Sequence, residues 1–329
     1  MSAQKKIVLE TKTQAFIDAL AAQGGKPIYE LSFADARRVL EDVQASAKVN
    51  KLPADVEDKV LPAGPSGQTS VTIYRPKGST GSLPVVMYFH GGGWVLGSKN
   101  THDRLLRDLV NGTNAAFVFV NYTPSPEAQF PIPIEQGFAA TKYIAEHGDE
   151  FGLDAKQLAV AGDSVGGNMA AVVTQLAKER KGPAIRYQVL FYPVTDASFS
   201  QESYKEFANG PWLTAAAMKW FWDAYAPNKA DRKKAMATPL SATPEQLKGL
   251  PPALVIVDEN DVLRDEGEDY ARKLVQAGVE TTAVRVLATC HDFAMLNALA
   301  STAAVKVAIE LASQKLAQTL GSGVRRPAA

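Results

Sequence analysis

The sequence predicts an α/β protein whose centre is a mostly parallel β-sheet covered by helices on both faces. Two observations carry this expectation. Short β-branched runs alternate along the chain with amphipathic helical patterns, and most of those runs are apolar throughout instead of alternating. With 329 residues, the chain suits one large α/β domain with an added lid, or two ordinary domains.

Taken in order, residues 15–22 and 33–47 read as helices, the second with Phe33, Ala36, Val39, Leu40 and Val43 on one stripe. Past Pro53 the texture changes. Val71-Thr72-Ile73-Tyr74 and Val85-Val86-Met87-Tyr88-Phe89 predict strands, separated by a turn-rich stretch from Pro76 to Pro84. The continuous apolar run at 116–120 predicts a strand buried on both faces, and further strands are expected at 158–161, 187–191, 253–257 and 282–286. Helical patterns occupy 103–109, 135–146, 165–181, 266–276 and 293–316. Between Tyr192 and Pro251 no strand pattern occurs, but Trp212, Trp220, Phe221, Trp222 and Tyr225 do, which predicts a helical insertion outside the core.

Composition narrows the function classes. Hydrophobic residues at 46% and charged residues at 21% exclude wholesale disorder. Lys and Arg total 35 and Asp and Glu total 35, so no net charge draws the chain to nucleic acid. The single Cys290 excludes an intramolecular disulfide framework and a multi-thiolate metal site, and reads as a small buried hydrophobe. No run approaches the roughly 18 apolar residues of a membrane span. Lys5 and Lys6 precede only Ile7-Val8-Leu9 before Glu10, too short for a secretory core. A cytoplasmic protein without stable membrane insertion is expected, with residues 321–329 as a flexible tail.

In such a sheet, chemistry belongs at the C-terminal ends of the strands. Gly162-Asp163-Ser164-Val165-Gly166-Gly167 follows one strand and opens a helix, presenting a serine on a strained turn that small neighbours permit. The helix N-terminus aims backbone N–H groups at a developing oxyanion. His90-Gly91-Gly92-Gly93-Trp94 follows another strand, and its glycines leave N–H groups uncovered; His90 itself reads as a loop-holding residue. Of the four histidines, His90, His102, His147 and His291, only His291 follows Ser164, as the order serine, acid, histidine requires. The acid lies between them, with Asp261 first, Asp258 second and Asp265 third.

At these motifs the chain resembles the hormone-sensitive-lipase-like branch of the α/β-hydrolases, the family IV carboxylesterases. The family marks are H-G-G-G, G-D-S-A-G-G, D-x-L-x-D-E-G and H-G-F. Here they read His90-Gly91-Gly92-Gly93, Gly162-Asp163-Ser164-Val165-Gly166-Gly167, Asp261-Val262-Leu263-Arg264-Asp265-Glu266-Gly267 and His291-Asp292-Phe293, in order, across about residues 60–315. The resemblance implies an eight-stranded α/β-hydrolase domain over 47–320, a helical cap from residues 1–46, and a second cap piece inserted at about 196–238. It implies Ser164 as nucleophile, His291 as base and Asp261 as its partner, with oxyanion donors from Gly91, Gly92 and Val165. Neither a metal nor an organic cofactor is implied. The partner is a small-molecule ester, and relatives of this kind suggest a homodimer. An amide or lactone hydrolase, an acyltransferase, or a non-catalytic ligand receptor on the same fold are the alternatives.

Three departures stand out. Asn121-Tyr122-Thr123-Pro124-Ser125-Pro126-Glu127 replaces the family's D-Y-R-L-A-P-E, Val165 replaces alanine, and Asp292 replaces the glycine after the base. The aromatic insertion suggests Trp94, Trp212, Trp220 and Trp222 as pocket walls, with Asp163 beside them. An ordinary histidine base predicts activity that rises between about pH 6 and 8.

Overall fold

The computed structural model describes residues 7–322, so residues 323–329 of the expected tail lie outside the described part. One sheet contains all eight strands: β1 (Ala54–Leu61), β2 (Thr69–Pro76), β3 (Leu83–Phe89), β4 (Ala116–Asn121), β5 (Leu153–Asp163), β6 (Gln188–Phe191), β7 (Ala253–Asn260) and β8 (Thr281–Cys290). Their spatial order is β1-β2-β4-β3-β5-β6-β7-β8. β1 and β2 run antiparallel to their neighbours and the remaining six are parallel. The expected α/β-hydrolase architecture is therefore present, with its apolar centre on β3, β4 and the second half of β5 from Leu158, where nearly every side chain is buried.

Helices complete the layers: α1 (Thr11–Gln23), α2 (Phe33–Ser46), α3 (Lys99–Thr113), α4 (Ile132–His147), α5 (Val165–Glu179), α6 (Glu202–Glu206), α7 (Ala215–Tyr225), α8 (Pro244–Leu247), α9 (Arg264–Gln276) and α10 (Ala303–Leu320). Their starts follow local chemistry. Ser32 accepts from Asp35 N–H at the head of α2, Thr214 from Ala217 N–H at α7, and Thr302 from Val305 N–H at α10. Ser98 and Thr101 cap α3 reciprocally.

Three expectations are corrected. β1 carries Asp55, Glu57, Asp58 and Lys59 and leaves Val56 and Val60 exposed, so no apolar pattern announces it. It is an edge strand, and charge there discourages pairing with other chains. The last helix begins at Ala303, ten residues later than its periodicity suggests. Tertiary bonds claim the intervening segment: Arg104 donates to the carbonyls of Ala294 and Met295, both at 2.7 Å, and Gln44 accepts from the backbone N–H and the side-chain amide of Asn297. Third, the insertion is not outside the core. Trp222 and Tyr225 of α7 are wholly buried, and the Tyr225 ring stacks on Trp94 at 3.9 Å.

β3, α5 and the turn between β5 and α5 meet without space for side chains. A Cβ on Gly166 would lie 2.0 Å from the Phe89 carbonyl oxygen, and one on Gly162 would lie 2.2 Å from the Gly166 carbonyl oxygen. Backbone cannot yield as a flexible side chain does. Gly166→Ala is expected to cost about 1–3 kcal/mol as overpacking, read as a lower urea midpoint with an unchanged slope; an unaltered midpoint would show that the contact relaxes freely.

Candidate active site

β5 ends at Asp163 and α5 begins at Val165, which leaves Ser164 alone at the turn with φ 55° and ψ −120°. An L-residue held there costs about 1–3 kcal/mol, so neighbouring bonds must hold it. The Ser164 N–H donates to Phe191 O at 2.9 Å, and its carbonyl accepts from Asn168 and Val194 N–H groups, each at 3.1 Å. Tyr192, whose ring meets His291, and Trp212 and Asp292, which line the cavity, also carry positive φ.

The strand ends bring three buried side chains into one hydrogen-bonded row. Ser164 Oγ lies 2.9 Å from His291 Nε2, and His291 Nδ1 lies 2.7 Å from Asp261 Oδ2. Asp261 Oδ1 accepts from Leu263 N–H at 3.0 Å, which fixes the carboxylate in the turn after β7. The other two acid candidates do not reach the histidine in this way. Asp265 pairs with Arg264 and accepts from Ser203 N–H. Asp258 is buried with neither oxygen hydrogen-bonded; burial, then the charge of Asp261, pushes its carboxyl well above the usual carboxylate range. Among the described residues, only Asp258, Asp261 and His291 gather closely enough to hold a cation, and two of them already bond each other.

Asp292 adds a second carboxylate to the histidine. Its Oδ1 lies 3.5 Å from His291 Nε2 without a hydrogen bond, while its Oδ2 accepts from Trp212 Nε1–H at 2.9 Å. Burial alone would push the His291 imidazole down; the charges of Asp261 and then Asp292 outweigh it, and His291 is raised to about 9. This puts His291 above the ordinary imidazole range on which the expected window of pH 6–8 rests. Burial also raises the Asp292 carboxyl, against the pull of His291 and the Trp212 bond.

Above the serine lies a cavity of about 190 Å³ with a mainly apolar wall. The N-terminal segment contributes Ile28, Tyr29, Val39 and Leu40, and the insertion contributes Trp212, Leu213, Met218 and Phe221. Of the residues expected in the wall, only Trp212 is there. Trp94 and Trp222 are buried against each other at 4.8 Å, and Trp220 stacks on Phe33 at 5.1 Å, joining α7 to α2. Trp220, Phe221 and Trp222 are consecutive on a helix, about 100° apart around its axis, so the three rings face three directions. Only Phe221 faces the cavity. Asp163 is wholly buried beneath the serine, bonded to Tyr88 and His102.

Two residues of the glycine loop reach the cavity. Gly92 and Gly93 line the cavity, whereas Gly91 packs on Asp163, where a Cβ would lie 2.3 Å from Oδ2. Among the turns and loops of the described residues, the N–H groups of Gly92, Gly93 and Val165 donate no backbone hydrogen bond. The altered 121–127 loop still supports this region. The Tyr122 ring stacks on His90 at 4.2 Å and its hydroxyl donates to His90 O, while Arg37 of α2 forms a two-pronged pair with Glu127.

A family model described as an alpha/beta hydrolase fold matches residues 86–295. This chain belongs to that family, in its hormone-sensitive-lipase-like branch. A thermostable esterase of Pseudomonas putida has a solved structure at TM-score 0.94 with 53% identity, covering 96% of this chain and 98% of that one. An esterase of Gibberella moniliformis is 36% identical over 313 residues, 94% of this chain and 96% of its own. An ethyl acetate hydrolase of Pseudomonas putida is 34% identical over 278 residues, 83% of this chain and 86% of its own. Among the described residues no helix is long and apolar enough to cross a membrane.

Because Asp292 raises the His291 imidazole, Asp292→Asn is expected to move the NMR titration midpoint of His291 below its starting value of about 9. A midpoint that stays in place would assign the whole elevation to Asp261.

Proposed function

We propose that this member of the carboxylic ester hydrolases cleaves small esters through an acyl-enzyme on Ser164. The observation that carries this reading is the unbroken row Ser164–His291–Asp261, with bonds of 2.9 and 2.7 Å, opening into an apolar cavity. His291 Nε2 receives the Ser164 proton as Oγ attacks the ester carbonyl. Asp261 holds the Nδ1–H, fixing the tautomer and stabilising the imidazolium. The N–H groups of Gly92, Gly93 and Val165 take the oxyanion. His291 then protonates the leaving alcohol, and water activated by the same imidazole releases the acid.

Cavity size supports a small acyl group. Drug-sized ligands occupy roughly 300–1,000 Å³, and about 190 Å³ between the two cap segments holds less. Relatives named as an ethyl acetate hydrolase and as esterases are consistent with that scale. Amide or lactone hydrolysis would use the same row and remains the second reading, since nothing in the wall selects the leaving atom.

Hydrolysis of p-nitrophenyl acetate, butyrate, octanoate and palmitate tests both the class and the size. Activity is expected to fall from the short esters to palmitate, and Ser164→Ala is expected to lower kcat by about 10⁴-fold or more. Equal turnover of palmitate would overturn the small-ester reading, and an active Ser164→Ala would overturn the nucleophile. Since the base must be deprotonated to accept a proton, kcat/KM should rise with pH toward about 9. A profile already flat above about pH 7, as an ordinary histidine base would give, would overturn the elevated His291 imidazole, and one with no rise between about pH 5 and 10 would remove His291 as the titrating base.

A further inference from the structure

The chain buries a second histidine–aspartate pair that the proposed reaction does not use. Asp163, the residue before Ser164, accepts the Tyr88 hydroxyl on Oδ1 at 2.7 Å and faces His102 Nε2 with Oδ2 at 3.1 Å. Both His102 and Asp163 are wholly buried, and His102 comes from α3, outside the sequence motifs.

Hydrogen-bond bookkeeping sets the protonation of this pair. The Thr101 hydroxyl lies 2.9 Å from Ser98 O and 2.8 Å from His102 Nδ1; with its one proton donated to Ser98 O, its oxygen is an acceptor toward Nδ1. Ser98 O, also an acceptor, lies 3.3 Å from the same nitrogen. Nδ1 therefore carries a hydrogen. Nε2 faces the Asp163 carboxyl, and one proton lies between them. An imidazole is the stronger base by about two to three pK units, so that proton sits on Nε2 and the ring carries both.

We propose that His102 is a buried imidazolium that acts as a positioning residue: it neutralises and fixes the Asp163 carboxylate, the floor on which the oxyanion glycines and Ser164 are set. The inference rests on the reading of Ser164 as nucleophile. The Asp163 oxygen bonded by His102 is the one that a Gly91 Cβ would meet at 2.3 Å, so the carboxylate abuts the backbone that carries Gly92 and Gly93. Bulk water does not screen this site, so an uncompensated carboxylate below the loop would oppose the oxyanion forming above it.

Surrounding groups agree with this charge assignment. Burial works against His102 protonation but Asp163 outweighs it and raises the imidazole; burial likewise opposes ionised Asp163, and His102 outweighs that. The other groups acting on the pair are Tyr88, His90 and Asp292, with Arg104 near Tyr88. His90, its ring 5.5 Å from that of His102, is pushed down to about 3 by burial and then by His102, and stays neutral. One cation thus balances one anion.

His102→Gln keeps a donor but removes the charge. It is expected to lower kcat on p-nitrophenyl acetate about tenfold or more, with KM within about twofold. Adding Asp163→Asn removes the stranded anion and should restore kcat to within about threefold of wild type. A merely structural pair predicts the opposite, a double variant no better than the single. That result, or wild-type kcat in His102→Gln, overturns the proposal. Should His102→Gln not fold, ¹⁵N NMR of the wild-type His102 ring at about pH 8, above the ordinary imidazole range, decides the question. Two protonated nitrogens are expected, and a neutral tautomer would sink the idea. Wild type inactive on every ester would remove the esterase reading instead, leaving the NMR result intact.

Discussion

The contact between the Gly166 backbone and the Phe89 carbonyl is the constraint from which the rest of the site follows. It allows α5 to start directly against the end of β3, so Ser164 has one residue in which to leave the strand and enter the helix. That short passage forces the positive φ, raises the Oγ above the sheet, and places the open helix N-terminus beside it. The same approach brings the glycine loop after β3 over the carboxylate of Asp163. Ser164, the glycine loop and the carboxylate beneath them are thus a single packing event and not three separate features.

Around that contact the protein gathers an unusual density of buried charge. Asp163, Asp258, Asp261, Asp292, His90, His102 and His291 are all buried at one end of the sheet. Such groups are tolerated only when paired or neutral. Asp163 is paired with His102 and Asp261 with His291, while His90 stays neutral and burial pushes the Asp258 carboxyl well above its usual range. Asp292 is the exception. It has one hydrogen bond, to the Trp212 indole of the cap, and its second oxygen faces the cavity side of His291. Its charge adds to that of Asp261 in raising the His291 imidazole.

The N-terminal helices and the insertion are tied to the same centre by polar bonds as well as by apolar packing. Gln44 of α2 holds Asn297 in the loop behind His291, and Arg37 of α2 holds Glu127 and the carbonyls of Val95 and Ser125. Trp212 reaches down to Asp292, and Trp220 joins the two cap segments through Phe33. Each tryptophan that the composition brought forward does separate work, and one of the four meets the cavity.

By itself, the sequence determined what depends on near neighbours along the chain. Apolar runs announced the central strands, the glycines flanking Ser164 announced the turn, and the order of Ser164, Asp261 and His291 announced the row they form. β1 escaped because it lies at the sheet edge and buries only Leu61, leaving no apolar alternation, and the start of α10 escaped because Arg104 and Gln44, distant in sequence, claim residues whose periodicity is helical. Which of Trp220, Phe221 and Trp222 faces the cavity, whether Gly91 or Gly93 lines it, and the protonation of His102 were decided only by tertiary structure. Each is a question of direction and of partners across the fold, and a linear pattern records spacing but not orientation.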